Sequence, residues 1–341
     1  MLIFRPPVGH DSGLVEIRQR AERFLDEGIP SAARPGTVTQ QDVLAGYASY
    51  MKQLVPDLAG IRPLKVVVDA GNGMGGHTVA TTFHGLPLDV VEMYFELDGS
   101  FPNHEANPID PANTADLQAR VVAEGADLGL AFDGDADRCF VIDERGEIVS
   151  PSVLTALIAA RELAKDPGAT IIHNLITSRA VPEVVREHGG TPVRTRVGHS
   201  FIKAEMARTG AVFGGEHSGH FYFRDFWNAD SGMLAALHTI AALGQQPGPL
   251  SGLLSTYARY AASGEINSTV TDAAAKLAEL KTAYADSPQD ELDGLTVDLG
   301  DGAWFNVRAS NTEPLLRLNV EAKDPPAMAA VRDAVLAIIR G

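Results

Sequence analysis

From residue 64 onward, short apolar runs alternate with amphipathic segments, and this alternation limits the possible folds more than any other feature. The first run, residues 64–69, is rich in valine and has the character of a buried parallel strand. A glycine turn and a short helix follow it, and further strands are expected at 88–94 and 127–132, with a helix near 113–124 between them. Strands that alternate with helices at this spacing indicate an α/β sheet covered on both faces.

The same alternation begins again after Pro167-Gly168, which breaks the pattern. The elements expected in this second unit are strands at 169–173, 191–195 and 211–213 and helices at 178–187, 199–208 and 230–243. After the Gly- and Pro-rich residues 244–249 we expect strands at 265–270, 293–299, 303–308 and 315–322 and helices at 271–283 and 325–339. That order indicates an α+β unit with an antiparallel sheet.

Two amphipathic helices are expected before the first strand. One covers residues 11–27, and the other follows Thr39 as its N-cap and continues to Val55. Two helices without a strand cannot form a domain of this type alone. Either part of a domain is missing, or these helices dock on the units that follow.

The charge balance limits the partners of the chain. Lys and Arg number 28 against 44 Asp and Glu, a formal net charge of −16. Such a surface repels nucleic-acid phosphates and anionic lipid, so we expect neither nucleic acid nor membrane as a partner. The one cysteine, Cys139, which we expect buried on a strand, cannot form an internal disulfide, and no secretory or membrane-spanning apolar run is evident. These features predict a cytoplasmic protein that binds a small molecule.

The strongest chemical signal is the acidic loop, residues 133–138, which reads Asp-Gly-Asp-Ala-Asp-Arg after an apolar strand. Three carboxylates this close repel one another unless a cation neutralises them, and α/β proteins bind ligands at the carboxyl ends of strands. A hard divalent ion, Mg²⁺ before Ca²⁺, fits best, with Arg138 near the same anionic ligand. A solvated acidic turn is one alternative. An EF-hand is another, since Glu144 falls at its twelfth position, but Arg138 replaces the turn glycine and strands flank the loop.

A second polar loop, residues 214–220, reads Gly-Gly-Glu-His-Ser-Gly-His, and we name it the glycine-bounded loop. Its carboxylate, Glu216, and its hydroxyl, Ser218, suit the recognition of vicinal sugar hydroxyls. Zinc is less well supported because the His-x-x-His pair has no further ligands at a definite spacing, and an incidental polar turn is the third alternative. Residues 194–200 bring basic and hydroxyl groups to the start of a helix, which makes another candidate anion contact.

The arginine loop, residues 308–314, joins two strands of the last unit. Arg308 offers a bidentate fork, and Ser310, Asn311 and Thr312 with backbone amides complete a cradle for an oxyanion. The alternative is an ordinary polar hairpin turn, because Ser and Asn also favour turns.

Three glycines, Gly71, Gly73 and Gly76, follow the first strand in the pattern G-x-G-x-x-G, and Glu92 lies at the end of the next strand. This is the context of a dinucleotide-binding fingerprint. The alternative is a tight strand-to-helix turn with no nucleotide, since glycines are the usual solution at such turns.

With these three loops in three successive units, the sequence closely resembles the α-D-phosphohexomutase family, in particular its bacterial phosphomannomutase/phosphoglucomutase branch. The motifs that carry the resemblance are residues 133–138, 215–220 and 308–312, supported by 68–73 and 197–203. It covers essentially the whole chain. In that family the glycine turn is structural, which argues against a dinucleotide.

The resemblance implies an α/β fold arranged around a deep cleft. Two successive phosphohexomutase-type α/β/α domains with mixed sheets are expected, followed by a C-terminal α+β domain with an antiparallel sheet. The expected bounds are 1–55 for a helical remnant of the family's first domain, 56–167 for the domain of the acidic loop, 168–255 for that of the glycine-bounded loop and 256–341 for the C-terminal phosphate-binding domain.

The resemblance also implies phosphoryl transfer between the 1- and 6-positions of mannose or glucose phosphate. The family uses a Mg²⁺-bound phosphoserine and a hexose 1,6-bisphosphate that acts as the activating intermediate. By resemblance, the expected metal ligands are Asp133, Asp135 and Asp137, and the expected catalytic residues are Arg138, His199 and His220. The expected substrate-binding residues are Glu216, Ser218, Arg308, Ser310, Asn311 and Thr312.

The family's phosphoserine loop, Thr-Ala-Ser-His-Asn-Pro, has no counterpart among the 341 residues. We therefore expect a chain that begins after this loop, with apolar surface exposed on its first two helices and a tendency to self-associate. Two hypotheses follow: a phosphohexomutase whose activity is weak or lost in this chain alone, or a non-catalytic, truncated module that binds sugar phosphates.

Overall fold

The computed structural model describes residues 13–34, 36–310 and 314–341. Its helices are α1 (Leu14–Glu27), α2 (Leu44–Leu54), α3 (Gly75–Phe83), α4 (Ala115–Glu124), α5 (Pro151–Lys165), α6 (Ala180–Glu187), α7 (His199–Thr209), α8 (Gly232–Gly244), α9 (Leu250–Leu254), α10 (Ala273–Ala283) and α11 (Pro325–Arg340). Within this described part of the chain, none of the helices is both long enough and apolar enough to cross a bilayer.

The strands form three sheets of five strands each. The first contains β1 (Leu64–Asp69), β2 (Leu88–Met93), β3 (Leu128–Phe132), β4 (Cys139–Asp143) and β5 (Ile148–Val149). The second contains β6 (Thr170–Asn174), β7 (Thr191–Thr195), β8 (Phe213–Gly215), β9 (Phe221–Phe223) and β10 (Ala229–Asp230). The third contains β11 (Ala261–Thr269), β12 (Gln289–Asp290), β13 (Leu295–Gly300), β14 (Ala303–Ala309) and β15 (Leu315–Ala322).

The first two sheets have the same topology. Their strand orders are β2-β1-β3-β4-β5 and β7-β6-β8-β9-β10, so each has three parallel strands followed by two strands that each pair antiparallel with the strand before. The third sheet is antiparallel throughout, in the order β11-β15-β14-β13-β12. The expected fold class, two mixed α/β sheets and an antiparallel C-terminal sheet, is confirmed.

One apolar core is shared by the two units that contain the mixed sheets. Every residue of α8 is buried, and its side chains join residues of both mixed sheets, such as Leu130 and Phe213, in one apolar cluster. The C-terminal sheet has a separate cluster that includes Phe305 and Leu318. Packing against shared apolar surface therefore fixes the first two units relative to each other, while the third unit has its own core.

Two expectations about the first helices are wrong. Thr39 does not cap α2: the helix begins at Leu44, whose amide donates a hydrogen bond to the Asp42 carboxylate at 2.9 Å. Nor does α2 present its apolar face to solvent, because Ala48 and Met51 are buried against the following units. Helix α1 does have exposed apolar side chains and no buried residue.

Candidate functional site

The acidic loop and the glycine-bounded loop occupy equivalent places in the two mixed sheets. The acidic loop follows the third parallel strand, β3, and the glycine-bounded loop begins at the end of its equivalent, β8; each leads into the antiparallel strand beside it. The loops meet where the main chains of Arg138 and His220 form an isolated antiparallel bridge, and the amide of Cys139 donates to Gly219 O at 3.3 Å. Residues 82 positions apart in sequence are thus joined by the topology of two separate sheets.

The glycine turn, residues 71–76, packs against the backbone of the acidic loop. A β-carbon on Gly73 would lie 2.6 Å from the carbonyl oxygen of Gly134, and one on Gly76 would lie 2.2 Å from that of Phe95. The amide of Met74 donates to Gly134 O at 2.9 Å. Protein backbone therefore fills the space that a pyrophosphate would need in a dinucleotide site, and the glycines have the structural role that the resemblance implied.

The three aspartates of the acidic loop converge. Asp133, Asp135 and Asp137 each offer a carboxylate oxygen, and the three atoms lie within 4.8 Å of one another. Asp133 is buried, and its carboxylate accepts hydrogen bonds from Arg138 Nε at 2.7 Å and from the Arg138 amide at 3.1 Å. Asn107 Oδ1 accepts a hydrogen bond from Arg138 Nη1 at 3.0 Å, so the guanidinium is held from two sides.

The residues of the acidic loop fit a hard divalent cation. Burial, and then the neighbouring charges of Asp133 and Asp230, raise the pKa of Asp137 to about 7. Asp137 Oδ1 is buried without a hydrogen-bond partner among the described residues. A cation between the carboxylates would offset their mutual repulsion and would give Asp137 Oδ1 a partner. The EF-hand alternative is wrong, because Glu144 accepts a hydrogen bond from the Ser251 amide at 3.0 Å, in a contact outside the loop.

His199 and His220 meet beside the acidic loop, around a carboxylate that the sequence analysis did not single out. Asp230 Oδ2 lies 3.2 Å from His199 Nδ1 and 3.0 Å from His220 Nδ1, and its Oδ1 contacts Lys203 Nζ at 2.9 Å. The proximity of Asp230 raises the pKa of His199. Burial favours neutral Asp230, but the two imidazoles and Lys203 outweigh it and hold the pKa of Asp230 well below its usual range.

Glu216 is more enclosed than its expected role suggests. It is 2% exposed, and it accepts hydrogen bonds from Asn174 Nδ2 at 3.3 Å, the Gly198 amide at 3.0 Å and the Tyr222 hydroxyl at 2.7 Å. The start of α7, a candidate anion contact, is therefore already engaged by this carboxylate. Ser218 is half-buried on the same loop.

The arginine loop lies on the C-terminal sheet. Arg308 Nη2 contacts Glu265 Oε2 at 2.6 Å, and Arg317 Nη1 lies 3.3 Å from the same carboxylate. Burial lowers the pKa of His217 in the glycine-bounded loop, where the charges of Glu265 and Arg308 act in opposite directions. Asn311 and Thr312 lie outside the described residues, and the Ser310 amide donates to Leu315 O at 3.0 Å.

Polar contacts join the C-terminal unit to the second unit. Arg179 Nη2 pairs with Asp298 Oδ2 at 2.8 Å, and the Arg179 amide donates to Glu321 Oε1 at 2.9 Å. A cavity of about 530 Å³ lies beside this junction and is lined by residues that include His217 and Trp304. The arginine loop and the glycine-bounded loop therefore belong to units that meet through ion pairs rather than a shared apolar core.

The sequence matches three family models in succession. They are phosphoglucomutase/phosphomannomutase alpha/beta/alpha domain II over residues 45–146, alpha/beta/alpha domain III over 151–260 and the C-terminal domain over 265–338. A Xanthomonas campestris protein described as "Phosphohexose mutases" is 40% identical over 98% of this chain and 75% of its own length. A phosphomannomutase of Salmonella montevideo is 37% identical over 98% of this chain and 74% of its own length.

Solved structures give the same result. A phosphoglucomutase/phosphomannomutase family protein of Burkholderia thailandensis superposes with a TM-score of 0.82 at 32% identity, covering 96% of this chain and 70% of that one. A phosphomannomutase described as putative, from Thermus thermophilus, shares the fold with a TM-score of 0.75 at 20% identity, over 95% of this chain and 72% of that one. The chain spans about three quarters of the length of the curated relatives described above.

Proposed function

The chain belongs to the phosphoglucomutase/phosphomannomutase family, and we propose that it binds hexose phosphates and takes part in phosphoryl transfer between the 1- and 6-positions of mannose or glucose. The observation that carries the proposal is the bridge between Arg138 and His220. It puts a guanidinium, three carboxylates and two imidazoles at one place, and these groups can hold a cation, neutralise a phosphoryl group and move a proton.

Asp133, Asp135 and Asp137 are the residues proposed to hold Mg²⁺. When bound, the ion would neutralise negative charge on the phosphoryl group. Arg138 is proposed to hold the same group through N–H donors, because its guanidinium is fixed by Asp133 and Asn107 and needs little reorganisation.

His199 and His220 are proposed to move protons at the reacting sugar hydroxyl. The raised pKa of His199 keeps its imidazolium populated nearer neutral pH, so it suits a donor. Asp230 orients both rings, since its Oδ2 faces the Nδ1 atom of each.

The substrate is proposed to lie between the glycine-bounded loop and the arginine loop. Glu216 and Ser218 would contact sugar hydroxyls, and Glu216 would exchange part of its present set of donors for them. Arg308, with Ser310, Asn311 and Thr312, would bind the phosphate that is not transferred. The pairing of Arg308 with Glu265 means that the phosphate competes with a carboxylate for this arginine.

A second candidate function is a module that binds sugar phosphates without turnover. The observation in its favour is that Thr-Ala-Ser-His-Asn-Pro does not occur among the 341 residues. In the phosphohexomutases this loop carries the transferring serine. Binding by the three loops does not depend on that serine, whereas transfer does.

One experiment separates the two functions. The chain is incubated with Mg²⁺, glucose 1-phosphate and glucose 1,6-bisphosphate, and glucose 6-phosphate is followed by a coupled dehydrogenase; Arg138→Met is the control for contaminating mutase. Turnover that Arg138→Met abolishes supports the enzyme and rejects the module. Glucose 1-phosphate binding in calorimetry without turnover supports the module. Absence of both binding and turnover, tested also with mannose 6-phosphate, rejects both.

A further inference from the structure

We propose that His199, His220 and Asp230 form a binding site for a borderline transition-metal ion, with Zn²⁺ the best match, distinct from the carboxylate site of the acidic loop. Three elements contribute: the first residue of α7, the end of the glycine-bounded loop and the last residue of β10. The ligand atoms of the three residues all lie within 4.8 Å of one another.

The distances match tetrahedral coordination. Zn²⁺ binds imidazole nitrogen and carboxylate oxygen at about 2.0–2.2 Å, so two ligands of one tetrahedral ion lie about 3.3 Å apart. Asp230 Oδ2 lies 3.2 Å from His199 Nδ1 and 3.0 Å from His220 Nδ1. Two of the three separations between ligand atoms are therefore already those of a tetrahedral ion.

Two of the ligand atoms lack a hydrogen bond. His220 Nδ1 and Asp230 Oδ2 are buried and make no hydrogen bond among the described residues, although they lie 3.0 Å apart. His220 is 8% exposed, so water does not readily replace the missing partner. Buried polar atoms without partners are costly, and a shared cation would satisfy both of them.

The surroundings orient the ligands as outer-shell groups do in metal sites. Lys203 Nζ holds Asp230 Oδ1 at 2.9 Å and leaves Oδ2 directed at the imidazoles. The Tyr222 hydroxyl lies 2.9 Å from His199 Nδ1 and donates to Glu216, so an ion on Nδ1 would take the place of the Tyr222 contact while Glu216 keeps the hydroxyl in position. Such partners fix the ligand orientation before the ion binds.

Donor chemistry separates this site from its neighbour. The acidic loop offers carboxylate oxygens, which hard ions prefer, whereas two imidazoles favour Zn²⁺, Co²⁺ or Ni²⁺ over Mg²⁺. Asp137 Oδ1 lies 3.4 Å from His220 Nδ1, so the two sites are adjacent. A zinc ion here would occupy both imidazoles proposed to move protons and would therefore inhibit turnover; that consequence, unlike the binding itself, rests on the proposed function.

Co²⁺, which replaces Zn²⁺ and absorbs visible light strongly when tetrahedral, tests the site directly. The full chain is titrated with Co²⁺ under saturating Mg²⁺, and then with Zn²⁺ to displace it. We expect intense visible bands at one ion per chain in the wild type, lost on addition of Zn²⁺. His199→Gln and His220→Gln should weaken binding more than about a hundredfold, because even loss of an outer-shell partner costs about 10–100-fold.

Two variants serve as matched controls. His217→Gln removes an imidazole of the same loop outside the cluster, and Asp135→Asn removes a ligand of the acidic loop; both should keep the bands. Absence of tetrahedral bands in the wild type overturns the proposal, as does their loss in Asp135→Asn, which would place the ion in the acidic loop. X-ray absorption of the zinc-loaded wild type gives a test that needs no variant: a first shell with two imidazoles supports the site, and an all-oxygen shell rejects it.

Discussion

The main chains of Arg138 and His220 pair across an isolated antiparallel bridge, and this bridge joins the acidic loop of one sheet to the glycine-bounded loop of the next. The amide of Cys139 extends the contact to Gly219 O. Because backbone atoms hold the two loops together, the carboxylates that would bind a cation and the imidazoles beside them keep one relative position. A change that separates the loops should disturb both groups at once.

Gly232→Ala tests this coupling. Gly232 begins α8, and a β-carbon there would lie 2.4 Å from the carbonyl oxygen of Arg138, so backbone has to move. We expect the free energy of unfolding to fall by about 1–3 kcal/mol, as overpacking usually causes, and Mg²⁺ to bind more weakly in calorimetry. The control is Gly46→Ala at an exposed position of α2, where a β-carbon meets nothing within 4 Å and should stabilise the helix by about 0.5–1 kcal/mol. Unchanged Mg²⁺ affinity in Gly232→Ala would contradict the coupling.

Asp135→Asn should weaken Mg²⁺ binding and leave the fold intact. Asp135 is exposed, so the substitution removes a charged ligand without opening a cavity. We expect at least about a tenfold loss of affinity in calorimetry, which corresponds to about 1.4 kcal/mol. Asp301→Asn removes the same charge from an exposed turn of the C-terminal unit and should bind Mg²⁺ as the wild type does. Equal affinities for the two variants would refute the metal assignment.

Arg138→Met should make stability depend on Mg²⁺. The substitution leaves the buried Asp133 carboxylate without its ion-pair partner, and loss of such a partner costs about 3–5 kcal/mol. A cation in the acidic loop can replace the lost charge, so Mg²⁺ should raise the Tm of Arg138→Met more than that of the wild type. Arg145→Met is the matched control because it also strips a buried carboxylate, Asp143, that lies outside the acidic loop. Rescue of both variants by Mg²⁺, or of neither, would be inconsistent with cation binding at Asp133.

His173 should make the protein less stable in mild acid. Burial, aided by the charges of Arg194 and Arg186, lowers the pKa of His173 to about 4, against about 6.5 in an unfolded chain. The unfolded chain binds the extra proton, so this contribution is complete above about pH 6.5 and is lost as the pH falls toward 4. We expect about 2 kcal/mol of loss between pH 7 and 5 from this residue.

Urea unfolding at pH 7 and 5 measures this loss. His173→Phe should lose less stability over the interval than the wild type, and His84→Gln, at an exposed histidine, should lose as much as the wild type. Burial also lowers the pKa of His238, but all three proteins keep this residue, so its contribution to the loss of stability cancels in the comparison. An equal loss in His173→Phe and the wild type would show that His173 is not responsible.

Element type and order were predictable where the hydrophobic pattern is local. Strands β7 and β15 have the predicted bounds, since apolar and turn residues alone define them. Helix α5 was not predicted, because residues 154–160 are buried in succession and leave no amphipathic period. The start of α2 was mispredicted because Asp42, not Thr39, provides the hydrogen bond at that end.

The residues of the candidate site also separate into those that the local sequence pattern predicts and those that it does not. The three aspartates of the acidic loop lie within five residues, so their pattern alone predicted that they converge. Asp230 and Glu265 were missed because each acquires its role from a partner distant in the chain: His199 for Asp230, and Arg308 for Glu265. Topology, which the local pattern does not encode, makes these pairs. The predicted domain bounds and the predicted roles of the site residues stay predictions.

Glu265→Gln should strengthen the binding of hexose phosphates. The Glu265 carboxylate holds Arg308 at 2.6 Å and lies 3.3 Å from Arg317, so a phosphate that uses Arg308 has to displace a negative charge. Glutamine keeps the size of the side chain and removes the charge, which lowers the cost of freeing the arginine. We expect affinity for glucose 1-phosphate, measured by calorimetry, to rise by up to about tenfold, or about 1.4 kcal/mol.

The comparison needs a variant with the same change in net charge. Glu279→Gln removes an exposed carboxylate that pairs with Lys276 on α10 of the same unit, so it reproduces any long-range effect of charge. Its affinity for glucose 1-phosphate should match that of the wild type, and Arg308→Met should bind more weakly than either. If Glu279→Gln gains as much as Glu265→Gln, the effect belongs to the net charge of −16 rather than to Arg308. If Arg308→Met binds normally, the arginine loop does not hold the phosphate, because the substitution removes its only described guanidinium.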